Sequence, residues 1–185
     1  MLEEIIEDTI SSMEKSLLSL DAAFKKIRTG RATASLLDSI RVDYYDKLTP
    51  LSQVASIAIE DAKTLAIVAW EKGVLQLIEK AISESDLGLS PTTSGETIRV
   101  ILPDLTEETR RDFIKKAKAE AENAKVSVRN ARRDGNSQLK VFLKEKEISQ
   151  DEEKQGEEAI QKLTDLYVSR VDESFQAKEK DLLDF

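Results

Sequence analysis

Among 185 residues there is neither a cysteine nor a histidine. The first absence excludes disulfide staples, thiol nucleophiles and thiolate metal sites. The second removes the commonest metal ligand and the usual general base near neutral pH. Aromatic residues make up only 5% of the chain, against 35% charged residues, a balance that favours exposed helix over a compact barrel or sandwich. The six glycines are scattered, and no G-x-x-x-x-G-K pattern offers a phosphate loop. Met1 leads directly into an acidic amphipathic stretch with no basic n-region and no long apolar run. Secretory signal, transit peptide and membrane span are therefore not expected, and a cytoplasmic protein without membrane contact is. No cofactor and no metal are expected either.

The net charge of −8 argues at first against nucleic acid, but its distribution does not. Residues 1–31 carry −1, residues 32–106 carry −5, residues 107–147 carry +4 and residues 148–185 carry −6. A single basic segment inside an acidic chain points to a directed electrostatic face.

Three long segments have helical periodicity. From Leu2 to Arg28, the residues Ile6, Ile10, Met13, Leu17, Leu20, Phe24 and Ile27 recur at spacings of three and four, which predicts one amphipathic helix stopped by Gly30. A second helix opens near Thr106, whose hydroxyl can cap a first turn carrying Glu107 and Glu108. Its apolar stripe is Ile114, Ala117, Ala121, Ala124, Val128 and Ala131, small enough for close helix approach. Gly135 weakens it locally by about 1 kcal/mol relative to alanine, and the pattern resumes through Leu139 and Phe142 to about Lys146. A third helix opens on Ser149-Gln150-Asp151-Glu152, a capping box, and presents Ile160, Leu163, Tyr167, Val171, Phe175 and Leu182 to the C-terminus. Such one-sided helices bury their faces together. The tight break at Ile148–Ser149 favours an antiparallel return within one chain, hence a monomer, over a coiled-coil dimer.

Residues 32–105 differ in texture. Ile40, Val42 and Tyr44 alternate as on a half-buried strand, Ile57 and Ile59 more briefly, and Thr64–Trp70 is an apolar β-type run. A short helix is predicted from Val74 to Ser83, a loop at Ser90-Pro91-Thr92-Thr93-Ser94-Gly95, and a last strand from Thr97 to Leu102. The fold class is α+β with two domains. Residues 1–30 and 106–185 form a long antiparallel three-helix bundle, and residues 31–105 form a small α/β domain inserted between its first two helices. The chain crosses between them at Thr29-Gly30-Arg31 and at Pro103-Asp104-Leu105-Thr106, two connections that make a natural hinge.

The sharpest chemical signal lies on the second helix. At about 100° per residue, Arg111, Lys115, Lys118, Glu122, Lys125, Arg129, Arg132, Arg133, Asn136 and Lys140 fall within an arc of roughly 100° and run on the order of 40 Å along the axis. Lys25, Lys26, Arg28 and Arg31 form a second basic cluster at the first crossing. A solvated face is the plainer reading of such a row. The concentration at Arg129-Asn130-Ala131-Arg132-Arg133 sets phosphate contacts beside it as an equal reading. Few aromatics accompany it, so recognition of structured RNA fits better than stacking along single strands. The acidic pairs Glu152-Glu153 and Glu157-Glu158 read as a solubilising face, and Tyr44, Tyr45 and Trp70 as core. No base stands ready to activate a serine or threonine. An enzyme is not expected; a helical scaffold or chaperone-like interaction protein that never touches RNA is the rival reading.

The segments Lys26-Ile27-Arg28-Thr29-Gly30-Arg31-Ala32 and Ser35-Leu36-Leu37-Asp38 resemble the hinge region of the bacterial ribosome recycling factor family. Ser85-Asp86-Leu87-Gly88-Leu89, Leu105-Thr106-Glu107-Glu108, Val128-Arg129-Asn130-Ala131-Arg132-Arg133-Asp134, Lys146-Glu147-Ile148-Ser149 and Gln161-Lys162-Leu163-Thr164-Asp165 are similar to the same family, in order along the chain. The resemblance implies a near-L-shaped protein that binds the post-termination ribosome on large-subunit rRNA. With elongation factor G and GTP it would split the subunits and release messenger and transfer RNA. It implies rRNA contacts at Arg28, Arg31, Arg129, Arg132 and Arg133, to which the basic row adds Lys125 and Lys140. Asp46-Lys47-Leu48 follows Tyr44-Tyr45 where the family often has glycine, and Thr109 stands at a position often basic.

Overall fold

The computed structural model describes residues 1–184. Phe185, included in the expected last helix and bundle segment, lies outside the described residues. The helices are α1 (Leu2–Lys26), α2 (Leu75–Ser83), α3 (Glu107–Lys144) and α4 (Gln150–Asp184). The strands are β1 (Arg41–Tyr44), β2 (Lys47–Pro50), β3 (Ala55–Asp61), β4 (Thr64–Ala69), β5 (Ser90–Ser94) and β6 (Thr97–Ile101). Among the described residues the chain folds as two compact units, Met1–Ile27 with Arg111–Leu183, and Arg28–Arg110 with Asp184.

In the first unit α1, α3 and α4 share a layered core. Ile5, Leu139, Ile148 and Ile160 meet at one end, Met13, Val128, Ala131 and Tyr167 in the middle, and Leu20, Phe24, Ala117, Ala121 and Val171 at the other. Numbers rise together in α1 and α4 while they fall in α3, so α3 runs antiparallel to both. The N-termini of α3 and α4 follow sequence signals. Thr109 donates its backbone N–H to the Thr106 hydroxyl at 3.1 Å. At the start of α4, Glu152 Oε2 accepts from the Ser149 N–H at 2.7 Å and the Ser149 hydroxyl accepts from the Glu152 N–H at 3.2 Å, a complete capping box. Ser149→Ala should lower the unfolding free energy by about 1 kcal/mol. The Glu152 carboxyl is held below the usual glutamate range, first by the Ser149 backbone N–H. A depressed carboxylate pKa contributes stability that is fully present above its unfolded value and lost as pH falls through its folded value. The gap in urea midpoint between wild type and Glu152→Ala should therefore close as pH drops below that range; a constant gap would contradict the capping box.

The first helix differs from expectation in two ways. It ends at Lys26, with Ile27 already extended at φ −82°, ψ 116°, so the chain leaves the helix before Gly30. Its inner half buries Ile5 and Thr9 rather than Ile6 and Ile10, which are only half-buried. The cause is Gly135. A Cβ there would sit 2.6 Å from Thr9 Oγ1 and 2.9 Å from Ile160 Cδ1, so three helices converge on a position with no side chain. Thr9 fits because its hydroxyl donates to the Ile5 carbonyl at 2.8 Å and needs no outside partner. Gly156 is similar, with Leu2 and Leu139 methyls 2.8 and 2.9 Å from a virtual Cβ. The second helix stops at Lys144 rather than Lys146. Lys146 is left-handed (φ 60°), its N–H donating to Leu143 and that of Glu147 to Phe142, a Schellman closure without glycine.

The second unit holds a four-stranded antiparallel sheet in the order β3-β4-β6-β5 and a separate β1-β2 hairpin. Val42, Leu65, Ile67, Ile78, Ile98 and Val100 form the heart of its core. The predicted loop at Ser90–Gly95 is instead strand β5 up to Ser94, turning through Gly95 (φ 65°). Pro91 is tolerated because β5 is the sheet edge, where a missing N–H costs no ladder bond. Strand β2 was invisible to alternation because its one large apolar residue, Leu48, faces solvent. Ile59 is also exposed. Trp70 and Tyr45 are not core: they are 64% and 79% exposed. Trp70 lies beyond the last residue of β4 and so falls outside its alternation. Tyr44 is half-buried, and Tyr45 and Asp46 form the β1-β2 turn with φ of 50° and 60°, unusual for a bulky residue. Glu71 braces it, accepting from the Tyr44 hydroxyl at 2.7 Å and the Tyr45 hydroxyl at 3.3 Å. The first of these bonds pushes the Tyr44 phenol up to about 12.

Candidate nucleic-acid interface

Helix α3 is continuous across Gly135, so the basic row forms one rigid line. The buried stripe Ala117, Ala121, Ala124, Val128, Ala131, Gly135 and Leu139 faces the bundle core, and the basic arc flanks it, centred roughly 110° around the helix. Within the arc, position decides exposure. Arg129, Arg133 and Lys140 lie at its middle and outer edge and are exposed, whereas Lys125, Arg132 and Asn136 lie nearer the buried stripe and are half-buried. Arg132 is thus presented from a partly packed stem, which restricts its rotamers before any ligand arrives.

The charges divide in a way no spacing rule could foresee. Lys125 is committed at the edge between α3 and α4, its ammonium 2.5 Å from Asp172 and 3.6 Å from Glu122. The Asp172 hydrogen bond holds its pKa above the usual lysine value. Among the described residues no ion pair or hydrogen bond engages Lys115, Lys118, Arg129, Arg132, Arg133 or Lys140. Those six cations keep their donors for an external ligand. The Asn136 side-chain oxygen is buried without a hydrogen-bond partner between Arg132 and Lys140 on the same arc.

Of the other sequence-predicted positions, Arg28 donates from Nη2 to the Pro103 carbonyl at 2.9 Å, and burial lowers its pKa. Arg31 is exposed, Thr29 half-buried, Gly30 buried, Pro103, Asp104 and Thr106 exposed and Leu105 buried. Asp104 pairs with Lys63. Among the described residues no group of three or more acidic side chains is gathered as a metal site, and no helix is long and apolar enough to cross a membrane. The arrangement offers unneutralised guanidinium and ammonium donors along one continuous helix, which suits phosphate recognition.

A family model described as ribosome recycling factor matches residues 20–183. The chain is 53% identical over 184 residues to the ribosome-recycling factor of Marinomonas sp. (strain MWYL1), with 100% of each chain covered. It is 52% identical over 183 residues to that of Hahella chejuensis (strain KCTC 2396), with 99% of each covered. Among solved structures, it resembles a solution structure of the ribosome recycling factor at 35% identity and a TM-score of 0.78, covering 100% of this chain and 98% of that one. It also resembles a T. thermophilus ribosome recycling factor from models with E. coli elongation factor G on the E. coli post-termination complex. That match has 39% identity, a TM-score of 0.68 and 99% of each chain covered. The expected α+β architecture, long helices with a small β-containing unit, is that of these structures.

Proposed function

The chain belongs to the ribosome recycling factor family, and from that premise we propose that it recycles ribosomes after termination, as a cytoplasmic monomer. It binds the post-termination ribosome through large-subunit rRNA and, with elongation factor G and GTP, separates the subunits so that messenger and transfer RNA leave. The relatives are named for a recycling factor and not for a chemical reaction, and this chain acts without catalysis of its own. Energy comes from GTP hydrolysis on the partner.

The observation that carries the reading is the row of six uncommitted cations on α3. In this proposal Arg129, Arg132, Arg133 and Lys140 contact rRNA phosphates, with Arg132 the leading contact because its stem is already ordered, and Arg31 extends the contact. Lys125, tied to Asp172, is the weakest member of the set. The acidic remainder of the chain disfavours other approaches to RNA. The small unit receives the push from elongation factor G, and the chain bends near residues 29–31 and 103–106. Light scattering of post-termination ribosomes tests the function: splitting should require this protein, elongation factor G and GTP together. Splitting at the same rate without this protein would overturn the reading.

A further inference from the structure

Two long cations outside the α3 row hold the first crossing between the units from opposite sides. On one side, the Lys178 ammonium donates to the Ile27 carbonyl at 2.9 Å. Ile27 is the C-cap of α1, so this carbonyl belongs to the negative end of the helix, where a lysine is favoured. Burial lowers the Lys178 pKa, with the nearby Asp181 charge opposing that shift.

On the other side of the next peptide stands Arg28. Its Nη2 reaches the Pro103 carbonyl, 75 residues away along the chain, while its Nε is buried with no partner. Leaving a guanidinium N–H unpaired is unfavourable, and the Pro103 bond fixes the side chain there nonetheless. The neighbouring backbone is tied into the small unit as well. Ala32 N–H donates to the Ala62 carbonyl at 2.7 Å and Leu102 N–H to the Lys63 carbonyl at 2.8 Å, and the Lys63 side chain pairs with Asp104. Both crossings, from Arg28 onward and up to Asp104, are thus built into the small unit, while Ile27 is built into the bundle.

We propose that Lys178 and Arg28 are positioning residues that pin the two sides of the Ile27–Arg28 peptide to different units, confining the bend of the first crossing to that single peptide. This moves the pivot one step ahead of the Thr29-Gly30-Arg31 segment. Its use, transmitting a push without loss in slack chain, rests on the recycling reading; its existence does not.

The chain has no cysteine, so spin labels can be placed without background. Ser12→Cys on α1 and Thr92→Cys on β5 report the distance distribution between units in the free protein. Ser12→Cys with Ser169→Cys, and Ser39→Cys with Thr92→Cys, report within each unit. Lys178→Met and Arg28→Met should each widen the distribution between units roughly twofold, as release of a pinned hinge allows, and leave the distributions within units unchanged. Lys178→Arg, which keeps a donor, should keep the wild-type distribution. Unchanged widths in both methionine variants, or equal broadening within a unit, would overturn the proposal. Because the protein is measured alone, either result is independent of whether it binds ribosomes.

Discussion

Replacing Arg129, Arg132 and Arg133 with glutamine in one chain should weaken binding to large ribosomal subunits roughly a hundred- to a thousandfold at moderate salt. A hydrogen bond between charged groups is worth about 1.5–3 kcal/mol, and three contacts on one rod do not add fully. The same variant should show a shallower salt dependence, its log–log slope less steep by roughly 2 to 3, since each lost phosphate contact removes about 0.9. Stability should hardly change. The three side chains pair with no described residue, and unpartnered surface substitutions usually stay within about 0.5 kcal/mol. Lys125→Gln should behave in the opposite way. It breaks the half-buried Asp172 pair between α3 and α4, so the denaturant midpoint should move and ribosome binding should change little. If Lys125→Gln and the arginine triple variant had equal effects on binding, the division between committed and free cations would be wrong.

Gly135→Ala should destabilise the bundle by up to about 2 kcal/mol, the net of an overpacking cost of about 1–3 and a helix-propensity gain of about 1. Helix propensity alone predicts the reverse sign. The added methyl meets Thr9 Oγ1 at 2.6 Å, and that oxygen cannot retreat cheaply, because Thr9 is β-branched and its hydroxyl is bonded to the Ile5 carbonyl. Thr9→Ala removes the obstructing atom. In that background Gly135→Ala should cost less or become favourable, a coupling read from a double-mutant cycle in urea. Gly156→Ala should cost less than Gly135→Ala, since the nearest atoms to its added methyl are leucine methyls, one of them on the half-buried Leu2. A stabilised Gly135→Ala chain would mean that α1, α3 and α4 do not converge there.

These two sites also mark where the sequence was readable. The α3 stripe from Ala117 to Ala131, the Thr106 cap and the Ser149–Glu152 box are local patterns with one structural solution, and each appears in the structure, while Ile114 at the head of the stripe is only half-buried. Hydrophobicity chose Ile6 and Ile10 for the α1 core because a threonine scores as polar. Only the absent side chain at Gly135, remote in sequence, gives Thr9 its buried place. The strand at Ser90–Ser94 escaped because its threonines and proline read as a loop until the neighbouring β6 supplies a ladder. Residue type points Trp70 to the core, yet it stands past the end of β4. In the candidate interface, the basic arc followed from spacing alone. That Lys125 is already spent on Asp172 depends on how α4 packs beside α3, which no pattern within α3 records.

The most direct test of the account is the affinity of the wild-type chain for separated large subunits across a salt series. With about five phosphates neutralised, log K should fall against log salt with a slope of roughly −4, and small subunits should compete poorly. A slope near zero on large subunits would contradict the electrostatic face on α3 and send the contact elsewhere on the protein.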